Sequence, residues 1–375
     1  MSTAHTATAS PTRRTPFYEK HLALNARMAP FGGFDMPIQY TGIIQEHQAC
    51  RTATAIFDTC HMGEFFMSGP QAAADLDRLV SCDVASMAIG QCRYGLLCNV
   101  EGGVRDDLIV YRLAADAFMI VVNAGTQDAD FAWFLAHRSL DTELENRSDA
   151  TAKLDIQGPG SAKIVNRLLA DPIDALRFYR FMDNVCAGSK IIVSRTGYTG
   201  EIGFELYTNI DTAHRIWDDC LNAGVVPAGL GARDTLRLEI GMPLYGHELG
   251  EDRNAAESGF TSAIAVTKNF VGAPAVRDPA RHRQALVGIT LEGRRTARAG
   301  DSVRAANGAL IGAVTSGSFA PTLGHAIALA YVDRTHATIG TAITIQTARD
   351  TLPGTLTKPP FYKSATARRP IAEFL

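Results

Sequence analysis

The sequence predicts an α+β protein whose C-terminal part is a separate antiparallel β domain. Two observations carry this. Over the first 280 residues, helical and strand patterns mix without regular β-α alternation, which argues against a doubly wound parallel sheet. From about residue 284 only strand patterns remain, QALVGITLEG, SVRAANGALIGAVTSGS, HAIALAYV and TAITIQT, with glycine at most breaks.

Taken along the chain, a helix is predicted at QAAADLDRLV (71–80), opened by Gly69-Pro70, and another around DADFAWFLAHR (128–138). SAKIVNRLLA (161–170) reads as a third, with Ser161 placed to cap it. The clearest helix is IDTAHRIWDDCLNAG (210–224), where Ala213, Ile216, Trp217, Cys220 and Leu221 recur at helical spacing, Asp211 is placed to cap the start and Gly224 to end it. β-Branched and aromatic runs at 107–113 and 117–124, and again at 190–196 and 203–208, read as two hairpins. A polar linker with two prolines (273–284) precedes the terminal β domain.

Composition narrows the function classes. A chain of 375 residues, 46% hydrophobic and 20% charged, can bury several cores. A formal net charge of −3 offers no general attraction to nucleic acid or to anionic lipid. The seven cysteines form no C-x-x-C pair and the ten histidines no H-E-x-x-H, so neither a disulfide framework nor a metal site is expected. No apolar run is long enough for a bilayer span, and reduced thiols fit the cytoplasm. The Ser/Thr/Ala-rich start with Arg13 and Arg14 reads as a disordered tail, although its composition leaves an organelle matrix open.

Three segments place polar groups inside apolar patterns. In VEGGVRDDLIVYRL (100–113), Asp106 and Asp107 are strand neighbours and must point to opposite faces. Asp107 shares a side with Ile109 and Tyr111, and Asp106 with Leu108, Val110 and Arg112. One aspartate then faces whatever the strand lines and the other faces water. Spacing alone does not choose between them, and it equally fits a Gly102-Gly103 turn with both carboxylates solvating a strand end. In RTGYTGEIGFELY (195–207), Glu205 lies between Phe204 and Leu206, on the side of Tyr207. An edge-strand glutamate in solvent fits that pattern too. In GLGARDTLRLEIGMPLYG (229–246), Arg233, Leu236 and Arg237 share a helical face, and the plain reading is a surface helix with Arg233–Asp234 and Arg237–Glu239 pairs. No G-x-S-x-G elbow or phosphate loop is present.

At these residues the chain resembles the T-protein of the glycine cleavage system, a tetrahydrofolate-dependent aminomethyltransferase family. The matching pieces include ARMAPFGGFDMPIQYTGIIQEH, RTATAIFDTCHMGEFFMSG, GGVRDDLIVY, IQGPGSAKI, RTGYTGEIGFELY and GLGARDTLRLEIGMPLYGHEL, running from about residue 15 to about 362. The resemblance implies three domains around a central folate channel: a discontinuous first domain (16–61 plus 146–275), an inserted second domain (62–145) and the C-terminal β domain (284–363), after a tail at 1–15. It implies that a one-carbon unit passes from the aminomethyl-lipoyl arm of H-protein to tetrahydrofolate, with release of ammonia. It assigns Asp107 as the catalytic carboxylate, with Asp106 its outward neighbour, Glu205 and Arg233 as folate-binding, and Met62, Tyr94, Val121, Asn123 and Tyr198 as channel lining.

Relatives of the same fold include a folate-dependent demethylase, disfavoured by the GARDTLRLEIGMPLYGHEL match, and a folate-binding maintenance protein whose K-G-C-[FY]-x-G-Q-E signature is absent here. Some positions depart from the family pattern. Cys60 stands in D-T-C-H-M where a serine is usual, Phe34 where a tryptophan is common, and Arg105 where an apolar residue precedes the aspartates. The 257–276 loop matches only loosely.

Overall fold

The computed structural model describes residues 12–375. Most of the predicted tail, 1–11, lies outside the described residues. The rest of it is not tail-like: Arg13 and Arg14 pair in parallel with Phe34 and Asp35, and the buried Thr15 hydroxyl donates to Asp58 Oδ2 at 2.6 Å. Stacking explains why two arginines sit down here, with Arg13 over the Phe34 ring at 4.5 Å and Arg14 over Tyr18 at 4.0 Å.

A six-stranded sheet runs in the order Phe181–Cys186, Ser189–Ser194, Gly203–Thr208, Ala152–Gln157, Ala55–Asp58, Val226–Pro227. The chain leaves this sheet after Asp58 and returns to it at Ala152. In between it builds a five-stranded sheet in the order Cys92–Cys98, Val104–Arg112, Ala117–Val122, Gly63–Ser68, Glu143–Asn146. From Gln284–Leu291 to Thr351–Thr357, six strands close an antiparallel barrel around Ile289, Val303, Ala328, Ala330 and Ile345. The architecture is α+β with a C-terminal antiparallel β domain.

Local chemistry accounts for the element ends, with two differences from expectation. The Ile210–Asn222 helix buries Ala213, Ile216, Trp217 and Cys220 as its periodicity demands, but its cap is Asn209, whose side chain accepts from Thr212 N–H. Asp211 lies one position inside the helix, where its carboxylate faces the positive end of the dipole without capping it. The helix closes as a Schellman turn: Gly224 (φ +82°) donates to Leu221 O and Val225 to Cys220 O, both at 3.0 Å. Ser161 does not cap the Ser161–Leu168 helix either. Its hydroxyl donates to Ile202 O at 3.1 Å, so it ties the helix to the sheet.

The Leu230–Glu239 helix is not a surface helix. It packs against Phe34–Gln39, the Ile43–Thr52 helix and the barrel strands, with Ala232 and Leu236 clustered on Ala55 and Phe57 of the six-stranded sheet, and its charges pair across those boundaries. Arg237, almost wholly buried, reaches Glu248 at 3.0 Å and Ser316 Oγ at 2.8 Å as well as Asp234. Glu239 accepts from Arg51 at 2.9 Å. Neighbours in sequence were a poor guide because the desolvated guanidinium needs partners on every side.

All seven cysteines are buried and unpaired. The native protein is therefore expected to react only slowly with a thiol reagent such as DTNB, and to release seven equivalents on denaturation; rapid labelling of the folded protein would contradict this burial.

Candidate active site

One face of the five-stranded sheet carries five of the predicted site residues, and strand register explains why. Tyr94 lies opposite Ile109, Ile109 opposite Val121, and Asp107 opposite Leu96. Asn123 follows the Ala117–Val122 strand, and Met62 precedes Gly63–Ser68, whose Gly63 lies opposite Val122. Alternation thus sets Met62, Tyr94, Asp107, Val121 and Asn123 on one side with Ile109 and Tyr111. Asp107 and Ile109 are partly open, whereas Asp106, Leu108 and Val110 are closed, so open space lies on the Asp107 side.

Asp107 is held by two donors. Tyr94 Oη donates to Oδ2 at 3.1 Å and Asn123 Nδ2 to Oδ1 at 2.9 Å. Burial pushes its carboxyl up to about 7, the neighbouring Asp106 pushes the same way, and the two hydrogen bonds oppose them. Such a group can take or give a proton near neutrality.

Asp106 does point the opposite way, but not to water. It is fully buried beneath the Gln127–His137 helix, against Asp130, and accepts from Asn123 N–H at 3.0 Å and Asn123 Nδ2 at 2.8 Å. Burial and the Asp130 charge hold its carboxyl well above the usual range. Two adjacent buried carboxyls oppose each other's ionisation. Asn123 therefore clamps both aspartates with a single amide. The Gly102-Gly103 turn is not a solvated strand end: a Cβ on Gly103 would lie 1.9 Å from Glu251 O, and Val104 N–H donates to Gly250 O.

Across the seam between the sheets stands Glu205, 4% exposed. Its Oε2 accepts from Thr196 at 2.6 Å, Tyr207 at 3.1 Å and Tyr111 at 3.2 Å, and its Oε1 from Lys153 Nζ at 2.9 Å. Tyr111 belongs to the same strand face as Asp107, so the strand itself links the two carboxylates over a span of about 13 Å from residue 107 to 111. Arg233 donates to Asp155 Oδ2 at 2.9 Å and lies 4.7 Å from the Tyr198 ring centre, while Tyr198 Oη donates to Pro243 O. Met62 also borders a cavity of about 580 Å³ lined by Arg13, Phe34, Cys60 and His214.

Lys153 and Asp155, absent from the residues predicted above, belong to the same network. Lys153 Nζ gives its hydrogens to Asp155 Oδ1 (2.6 Å), Glu205 Oε1 (2.9 Å) and Thr59 Oγ1 (3.1 Å), and both charged residues are buried. Burial would lower the Lys153 pKa, but Asp155 and Glu205 outweigh it and raise it. Asp155 is held below its ordinary value because Lys153 and Arg233 overcome the opposing effect of burial. The signal was present in AKLDIQ, where Lys153 and Asp155 alternate with Leu154 and Ile156, giving one charged face to a buried strand. Cys60 sits beside this network, donating through sulfur to Lys153 O at 3.3 Å, and burial pushes its thiol well up. Among the described residues, no group of three or more His, Cys, Asp or Glu is arranged to hold a metal ion, and no helix is long and apolar enough to cross a membrane.

In sequence and in fold the chain is similar to one-carbon group transferases, the aminomethyltransferases. Residues 17–268 match the GCVT N-terminal domain and 284–363 the glycine cleavage T-protein C-terminal barrel domain. The aminomethyltransferase of Halothermothrix orenii is 41% identical over 93% of this chain and 99% of its own length. That of Thermotoga maritima is 39% identical over 95% of this chain and 99% of its own. The crystal structure of glycine cleavage system aminomethyltransferase T from Bartonella henselae superposes with a TM-score of 0.87 at 30% identity, covering 93% of this chain and 98% of that one. The chain belongs to the glycine cleavage T-protein family.

Proposed function

We propose that the protein moves the one-carbon unit of an aminomethyl-lipoyl arm, carried by H-protein, to tetrahydrofolate, giving 5,10-methylenetetrahydrofolate, ammonia and the dihydrolipoyl arm. The observation that carries this reading is the Asp107 carboxyl, poised near 7 and fixed by Tyr94 and Asn123. The reaction moves two protons. As the carbon bonds to two folate nitrogens, their N–H hydrogens depart, one with ammonia and one with the sulfur whose bond to carbon breaks. A carboxyl titrating near neutrality serves both transfers, and in ionised form it stabilises positive charge building at the methylene carbon.

Glu205 and Arg233 bind the pterin in this reading. Oε1 of Glu205 accepts one protein hydrogen bond whereas Oε2 accepts three, so Oε1 has the capacity to accept from a ring N–H. Met62, Tyr94, Val121, Asn123 and Tyr198 supply walls, with Asn123 also meeting polar edges. The cytoplasm is the compartment proposed.

The test is to incubate purified protein with tetrahydrofolate and aminomethyl-loaded H-protein while following ammonia and methylenetetrahydrofolate. Absence of both products with a carrier known to be active would end the proposal. Glu205→Gln is expected to raise the tetrahydrofolate dissociation constant roughly tenfold, the worth of one charge-assisted hydrogen bond. An unchanged constant in titration calorimetry would remove Glu205 from the binding site.

A further inference from the structure

Glu64 has no place in any role described so far. It is fully buried, and neither carboxylate oxygen has a hydrogen-bonding protein partner. Its position is defined by register: Glu64 lies opposite Val121, Val121 opposite Ile109, and Ile109 opposite Tyr94. These four form one row across the sheet, on the face that carries Asp107, Asn123 and Met62 in the row beside it. Strand neighbours agree, since Met62 and Phe66 flank Glu64 at two-residue spacing and both belong to the seam cluster. The Glu64 side chain therefore looks into the seam between the two sheets.

The charges it meets there are Lys153 and Glu205. Neither completes it. Lys153 has three hydrogens, and all three are spent on Asp155, Glu205 and Thr59. The hydroxyls of Tyr111, Tyr207 and Thr196 are all turned to Glu205. Burial and the Glu205 charge push the Glu64 carboxyl well above its ordinary range, against the pull of Lys153. A carboxyl that is buried, unpaired and set in a row of site residues is unfavourable for the free fold, and such departures from internal consistency are expected where a ligand completes the contact.

We propose that Glu64 is a further binding residue of this site, completed by N–H groups of the bound reduced pterin. The proposal rests on the tetrahydrofolate reading given above. Glu64 then contacts the ring from the five-stranded sheet while Glu205 contacts it from the six-stranded sheet, so the heterocycle is held from both walls of the seam.

The experiment compares wild type, Glu64→Gln and Glu64→Leu by anaerobic tetrahydrofolate titration and by thermal melting of the free proteins. Glu64→Leu is expected to bind tetrahydrofolate about tenfold or more weakly while the free protein melts at the same temperature or higher, because an unpaired buried carboxyl has been removed. Glu64→Gln, which keeps hydrogen-bonding atoms, should fall between. Unchanged affinity in Glu64→Leu overturns the proposal and leaves Glu64 satisfied by water. A lower melting temperature in both variants, without loss of affinity, overturns it in favour of a structural role. Failure of the wild type itself to bind tetrahydrofolate is a separate result: it removes the functional reading and this proposal with it.

Discussion

Asp107→Asn is expected to lower kcat by about two to four powers of ten while tetrahydrofolate still binds, the scale typical of losing a proton-transfer and charge-stabilising group. Asparagine is close in shape; its one oxygen can keep the Asn123 bond, and the Tyr94 hydroxyl can turn to accept from the new amide, so the pocket should survive the change. A steady-state assay with separate kcat and KM distinguishes this outcome, in which kcat carries the loss, from one in which binding carries it. Turnover equal to wild type would move the role elsewhere. In wild type an activity limb near pH 7 should appear, rising as Asp107 ionises, and the Asn variant should lack it.

The same carboxyl has a consequence for stability, with a sign that follows from linkage. Its folded value, about 7, lies above the ordinary aspartate value, so the folded chain binds the proton more tightly than the unfolded chain between about 4 and 7. Its contribution to stability is thus least favourable above pH 7 and improves as pH falls through that window. Asp107→Asn should raise the melting temperature at pH 8 and change it much less at pH 5. Solvent reaching the partly open carboxyl moderates the effect. Asp106→Asn should cost less activity than Asp107→Asn, but Asp106 is not a remote neighbour: it shares Asn123 with Asp107, so its loss loosens the clamp on the Asp107 carboxyl.

What the sequence could and could not reveal divides along the range of the interactions involved. Period-two alternation put Asp106 and Asp107 on opposite faces, and it grouped Asp107 with Ile109 and Tyr111, because strand geometry is local. It failed on what covers the second face. Asp106 meets the Gln127–His137 helix, an element more than twenty residues on, and no pattern within VEGGVRDDLIVYRL announces it. The Leu230–Glu239 helix failed for the same reason. The expected pairs Arg233–Asp234 and Arg237–Glu239 do not form: Arg233 takes Asp155, Arg237 takes Asp234 and Glu248, and Glu239 goes to Arg51, because neighbouring elements close over the helix. Cap positions fall between these cases: Asn209 and Asp211 are chemically alike, and backbone geometry two residues earlier decided which one capped. Neither composition nor alternation marks Met62 or Tyr198; only the family resemblance singles them out.

Lys153→Met is expected to destabilise the protein by roughly 3–5 kcal/mol, the cost of removing one partner from a buried ion pair. Methionine fills much of the same volume, so the loss falls on charge. Asp155 Oδ1 and Glu205 Oε1 would lose the donor they share, with Arg233 still serving Asp155 and nothing in the network replacing the bond to Glu205. The pH dependence separates this mechanism from simple mispacking. In wild type the Asp155 carboxyl lies below its ordinary value, so its contribution is present above about pH 4 and lost as pH falls through the folded value. In the variant a buried carboxylate with a missing cation gains affinity for a proton, which reverses the sign: the defect should be greatest at pH 8 and shrink toward pH 5. Chemical denaturation at the two pH values measures this directly, and a deficit independent of pH would point to packing. Lys153→Met combined with Glu205→Gln removes one of the stranded charges and should recover part of the stability at pH 8, since coupling between partners in one network is what a double-mutant cycle detects.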